Sequence, residues 1–166
     1  MSGAQTELPV DPANGLLRHV AAAGHHERAC ADLEVQIAGL DDLGRGVHTL
    51  AALANLADVA HRISHAQAAE ALVPLLTPYA DRVPQAIVIQ PVVHHDLGLL
   101  ALTVGRTDEA VEHLSASVEA HRVLDAPLHE AESLLAWAKA TGDDDRRAAG
   151  EVIAARHGAT GLIVDP

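Results

Sequence analysis

The chain is nearly devoid of aromatic residues. It has no Phe, and Trp137 and Tyr79 are its only aromatic side chains of the Phe/Trp/Tyr class among 166 residues. Any core must therefore be assembled from Leu, Val, Ile and Ala. Such side chains suit contact between helices, where Ala lets backbones approach and Leu fills the grooves. Basic residues are scarce as well. Eleven Lys and Arg stand against 23 Asp and Glu, a formal net charge of −12. This argues against direct nucleic-acid binding, which needs a Lys/Arg surface for phosphate, and favours basic or neutral partners. The lone Cys30 excludes an intrachain disulfide framework and points to a reducing compartment. No apolar run reaches membrane-spanning length, and the first residues lack the basic flank and apolar stretch of a signal peptide. These absences place the chain in the cytoplasm, with residues 1–10 as a flexible tail and residues 11–166 as one domain.

What the sequence does contain is a repeat. In Leu97-Gly98-Leu99-Leu100-Ala101-Leu102-Thr103-Val104-Gly105-Arg106-Thr107-Asp108-Glu109-Ala110, two helical patterns meet at a short break. Gly105 supplies a positive-φ stop, and Thr107 is the expected cap of the next helix. Asp108 and Glu109 then lie at its positive dipole end. Ala110, Leu114, Ser117 and Val118 follow at helical spacing. The pattern recurs around Gly24, followed by Ala29, Leu33 and Ile37, and around Ser64, followed by Ala69 and Val73. It recurs again around Gly142, where Asp143-Asp144-Asp145 reads as an acidic helix start. Ser64-His65-Ala66-Gln67 reads as a capping box with Ser64 as the cap. The four breaks are 40, 41 and 37 residues apart, a solenoid-like period. Pro12, Pro91 and Pro127 stand near the starts of first helices. Pro74 and Pro78 predict that one second helix kinks or stops near Thr77. The stretch from Tyr79 to Gln90, with Pro84 and the β-prone run Ala86-Ile87-Val88-Ile89, is expected to form a lengthened turn between repeats rather than a strand.

The third hairpin resembles the tetratricopeptide repeat. More specifically, Leu75-Leu76-Thr77-Pro78-Tyr79-Ala80, His95-Asp96-Leu97-Gly98-Leu99-Leu100-Ala101 and His157-Gly158-Ala159-Thr160-Gly161-Leu162 are similar to the C-terminal helical repeats of actinobacterial multidomain regulators. In those proteins an ATP-binding module is joined to DNA-binding domains or nucleotide cyclases. The resemblance implies an all-α, right-handed superhelix of about four hairpins acting as an interaction or sensing module. The large aromatic residues usual in these repeats are replaced here by Leu, Val and His. The sequence has no GxxxxGK[ST] loop, helix-turn-helix or cyclase segment, so no ATPase, cyclase or DNA-binding activity is implied.

In a solenoid of this kind the first helices line the concave face. Removing the apolar positions leaves Asn14 and Arg18 facing inward from the first hairpin. The second contributes Asn55, Asp58, His61 and Arg62, the third His95 and Asp96, and the fourth His129, Glu132 and Ser133. The spacing of Asp58, His61 and Arg62 puts them on one helical face. Such a groove suits a protein or peptide partner, with a second copy of the chain as one candidate. The alternative is a small-molecule or catalytic site built from the same His/Asp/Arg cluster. An ordinary solvated face competes with both. Neither the adjacent His25-His26 and His94-His95 pairs nor His61 with His65 has the spacing of a zinc site, so no metal or cofactor is expected. Cys30 reads as packed, and Ser115, Ser117 and Ser133 lie on helices away from any nucleophile elbow. A non-catalytic module is accordingly the first reading, and acid–base work by a His–Asp pair such as His61 with Asp96 is the alternative.

Overall fold

A computed structural model describes residues 26–39, 49–84, 90–159 and 161–164. The described residues are all-α. They form α1 (His26–Ala38), α2 (Thr49–Arg62), α3 (Ala66–Leu76), α4 (Val93–Thr103), α5 (Thr107–Val123), α6 (Pro127–Thr141), α7 (Asp144–Arg156) and a short α8 (Gly161–Val164). Packing runs mainly between sequential neighbours: α2 with α3, α4 with α5, α6 with α7, and each hairpin on the next. The first helices α2 and α4 also pack directly against each other, and α4 touches α6. This is a helical-repeat arrangement. The break at Gly24, the 1–10 tail, the Ala86–Ile89 run, and Asn14 and Arg18 lie outside the described residues.

Left-handed residues end the helices. Ser64, Gly105, Asp125, Gly142 and Gly158 all have positive φ. At the end of α2, the Ser64 N–H reaches the His61 carbonyl at 3.0 Å while the His65 N–H reaches that of Ala60 at 2.8 Å. The same paired bonds recur behind Gly105, Asp125 and Gly158, satisfying carbonyls that a helix end would otherwise leave open. This corrects two expectations about caps. Ser64 closes α2 rather than opening α3, and His65 caps α3 through a 3.1 Å bond from the Ala68 N–H to its Nδ1. Arg106, whose side chain makes no capping hydrogen bond, holds the cap position of α5, and Thr107 is its first helical residue. The acidic start of α7 is as expected. Asp143 accepts from the Arg146 N–H, and the Arg146 guanidinium lies 3.9 Å from the centre of the Trp137 ring. Pro74 is accommodated in α3, which stops at Leu76 and tightens into a 3-10 turn over Thr77–Tyr79.

The aliphatic core is continuous from Leu33 of α1 through Leu56 and Ala60 of α2 and Leu72 of α3 to Leu97 and Leu100 of α4. Ala29 and Leu33 are buried and Ile37 is partly buried, in keeping with the helical spacing of α1. Further along, close packing is achieved by leaving side chains out. A Cβ added at Gly98 of α4 would sit 2.6 Å from Leu114 Cγ of α5, and one at Gly150 of α7 would sit 2.9 Å from Leu135 Cγ of α6. The α4–α5 and α6–α7 hairpins each seat a leucine in a glycine notch. We expect Gly98→Ala to destabilise the protein by about 1–3 kcal/mol through overpacking. Gly161→Ala, whose added methyl meets nothing within 4 Å, should be near neutral; urea denaturation of both variants checks the contrast.

Candidate functional site

The start of α4 explains why polar groups enter the core. A helix N-terminus leaves backbone donors unpaired, and here tertiary contacts take them up. The Val93 N–H donates to the Arg82 carbonyl (2.9 Å) and the His94 N–H to that of Ala80 (3.0 Å). The Val92 N–H donates to Nε2 of His121 (3.0 Å), an α5 side chain that is 1 % exposed.

That bond assigns the remaining protons. With Nε2 accepting, neutral His121 carries its hydrogen on Nδ1. This nitrogen lies 3.4 Å from both Ser117 Oγ and Ser133 Oγ. The Ser133 hydroxyl donates to the His129 carbonyl one turn back (2.9 Å), so its oxygen accepts from its other neighbours. These are Ser117 Oγ at 2.9 Å and His95 Nδ1 at 3.0 Å. Two histidines and two serines from α4, α5 and α6 thus form one buried, mutually satisfied cluster. It does not operate as a serine–histidine dyad, because here the imidazoles donate to the hydroxyls and no base takes a serine proton.

The groove residues predicted from the sequence are distributed by this packing. His95 and Asp96, expected to face the groove, are 8 % and 4 % exposed, and Ser133 is fully buried. They are core groups because α4 is covered on nearly every side by α2, α3, α5 and α6. Asn55 is partly buried and accepts from Gln90 Nε2 at 2.7 Å. On α2, Arg62 Nε donates to Asp58 Oδ2 at 2.9 Å. His61 Nδ1 lies 3.0 Å from Thr103 Oγ1, whose own proton goes to the Leu99 carbonyl (2.8 Å), so the imidazole donates and its Nε2 keeps a lone pair. On α6, His129 Nδ1 donates to Glu132 at 2.9 Å. Arg18 lies outside the described residues.

Electrostatics joins these groups into one neighbourhood. Burial lowers the His95 pKa, while the carboxylates of Glu132 and Asp58 oppose the shift and His129 and His61 reinforce it. Burial also lowers His61, with Lys139 adding to the effect and Asp58 opposing it. Glu132 is pushed up by burial, but the His129 hydrogen bond and the imidazoles of His95 and His129 outweigh that and hold it below the usual carboxylate range. Asp58 and Glu132, on different helices, therefore lie around histidines held neutral. Sequence reasoning missed His121, Thr103 and Lys139. His121 was accessible to it, since it continues the buried face of α5 set by Ala110, Leu114, Ser117 and Val118. Among the described residues no three His, Cys, Asp or Glu side chains converge as a metal-binding group. The Gly105–Glu109 concavity, about 410 Å³, contains none of the groups named above.

Two predictions follow from the buried cluster. Burial, with smaller contributions from His95 and His129, lowers the His121 pKa from 6.5 to about 4. The unfolded chain thus binds more protons than the folded one between those values. Stability is fully present above pH 6.5 and falls with pH until about 4, by about 3 kcal/mol from this residue. Urea midpoints across that range should show this loss, and His121→Gln should be less stable at pH 7 but flatter with pH. Ser133→Ala strands the His95 N–H and the Ser117 hydroxyl, and should cost about 1–3 kcal/mol or more at pH 7. A midpoint indistinguishable from that of the unsubstituted protein would refute the proton assignment.

No protein-family model, curated protein or solved structure matches this chain.

Proposed function

We propose that the chain is a non-enzymatic binding protein of the tetratricopeptide-like superhelical type, whose inner face takes a small organic cation. The observation that carries this reading is the pairing of Asp58 on α2 with Glu132 on α6. Asp58 raises the cost of ionising Glu132, and both carboxylates act on the buried imidazole of His95. An ammonium or guanidinium group placed there would be attracted by both carboxylates. Neutral histidines favour such a guest, because His61 offers a lone pair at Nε2 and neither His61 nor His95 opposes a positive charge. Arg62, bound to Asp58, and Lys139, near His61, set the margin and favour a compact ligand that does not displace them. The chain's net charge of −12 adds long-range attraction for cations.

Isothermal titration at low salt with a panel of primary amines, guanidines and matched carboxylic acids tests the proposal. Amines or guanidines should bind and the acids should not, and Asp58→Asn or Glu132→Gln should each weaken binding about 10-fold or more, the worth of one charge-assisted hydrogen bond. Absence of binding by every amine, or affinities unchanged in both variants, would sink it. A Lys/Arg-rich peptide that binds where free amines do not would instead support a protein partner on the same face.

A further inference from the structure

The turn that joins α5 to α6 differs from the other helix ends in what it exposes. Val123, the last residue of α5, is 79 % exposed, Leu124 at its cap 54 %, and Leu128 in the first turn of α6 38 %. Among the described residues, Val35 on α1 and Val152 on α7 are the lone large hydrophobics exposed on their helices, and Leu75 with Tyr79 makes a pair at the end of α3. Single exposed apolar residues are ordinary, but three around one short turn make a patch. A charge also stands here where other helix ends have glycine. Gly105, Gly142 and Gly158 take the left-handed conformation at three of them, whereas this turn gives it to Asp125, at φ 51°. Glycine adopts such a φ without steric cost, so the aspartate is disfavoured on local grounds. What it adds is an exposed carboxylate between Leu124 and Leu128 in the chain.

The backbone under the patch is fixed. The Asp125 N–H donates to the Arg122 carbonyl (3.2 Å) and the Ala126 N–H to that of His121 (2.9 Å). Arg122 Nε donates across the turn to Glu130 Oε1 at 2.8 Å. That guanidinium is therefore engaged, and it reaches Glu119, one turn before Val123, only at 3.9 Å. The Glu119 side chain is 72 % exposed. Three carboxylates, on Glu119, Asp125 and Glu130, thus flank the apolar side chains with the single guanidinium of Arg122 among them, and the surplus has the sign of the whole chain, −12.

We propose that the α5–α6 turn docks a basic amphipathic helix of a partner protein, its apolar side over Val123, Leu124 and Leu128 and its Lys or Arg side chains on Glu119 and Asp125. Charge chooses the occupant. A second copy brings the same acidic rim and another −12 to the contact, and the phosphates of lipid or nucleic acid are repelled in the same way. A basic partner is drawn to the rim, and an amphipathic helix carries apolar and cationic side chains within one turn of each other. The proposal uses neither Asp58 nor Glu132, so it stands or falls apart from the small-cation reading.

The test is fluorescence anisotropy of a labelled synthetic helix of about four turns, with Leu along one face and Lys on the remaining positions, titrated with the full chain at low salt. A second peptide carries Glu in place of Lys. The Lys peptide should bind and the Glu peptide should not. Val123→Ser with Leu124→Ser should weaken binding about 10-fold or more, and Glu119→Gln with Asp125→Asn about 10-fold. Asn tolerates the left-handed conformation as Asp does, and all four positions are exposed, so urea midpoints close to that of the unsubstituted protein should show both double variants folded. Val35→Ser and Asp58→Asn should leave the affinity unchanged. Equal binding of the two peptides, or an affinity indifferent to either double variant, would overturn the proposal. A loss on Asp58→Asn alone would move the basic peptide to the inner face. Sedimentation of the chain by itself as a dimer that the Val123/Leu124 double variant dissociates would give the patch to a second copy, and would overturn it equally.

Discussion

The bond from the Val92 N–H to His121 Nε2 is a small contact on which much of the molecule depends. A helix that begins inside a stack of other helices exposes donors where water cannot reach them, and a buried donor without a partner costs roughly 1–3 kcal/mol. α4 is such a helix, flanked by α2, α3, α5 and α6. Its start has no side-chain cap of its own. His121 supplies an acceptor from α5, which obliges its other nitrogen to donate inward. That donor needs Ser117 and Ser133, and Ser133 in turn fixes His95 and the carbonyl of His129. One backbone requirement thus propagates through three helices.

The near absence of aromatics makes this arrangement useful for specificity. Aliphatic helices slide past one another with modest loss, because Leu, Val and Ala fill many alternative grooves. Directional bonds do not tolerate such slippage. A shift of one turn of α6 would take Ser133 away from three partners, and a shift of α5 would take His121 from the start of α4. The glycine notches act in the same direction by shape, since Leu114 enters α4 only at Gly98 and Leu135 meets α7 at Gly150. Polar register and steric register coincide on the α4–α5 pair.

The repeat was legible because its punctuation is local. A glycine at positive φ followed by a helix start can be recognised from a few residues, and the turns at Gly105 and Gly142 show the expected conformation. Ser64 occupies the same left-handed position without being a glycine. That is why its hydroxyl suggested a cap for the following helix, a role taken by the imidazole of His65. The divergence of His94 from His95 was also legible, since adjacent helical residues point in different directions; one ring meets His113 and the other Ser133. The burial of His95 and Asp96 was not. The rule that polar residues of first helices face the groove assumes that such helices keep an open side, and α4 has almost none. Nothing within α4 announces that its acceptors and donors come from α5 and α6.

His95 connects the buried cluster to the carboxylates of Asp58 and Glu132. Its Nδ1 is committed to Ser133, while its ring feels Asp58 and Glu132. Charging it would help those carboxylates but would require a cation in the core, and burial is the stronger influence. The imidazole therefore stays neutral, and the two carboxylates share no counter-charge from it. Arg62 partly answers Asp58, and His129 donates to Glu132 from within its own helix. The same desolvation that holds the core together thus keeps positive charge off His95 beside Asp58 and Glu132, the arrangement on which the proposal of a cationic guest rests.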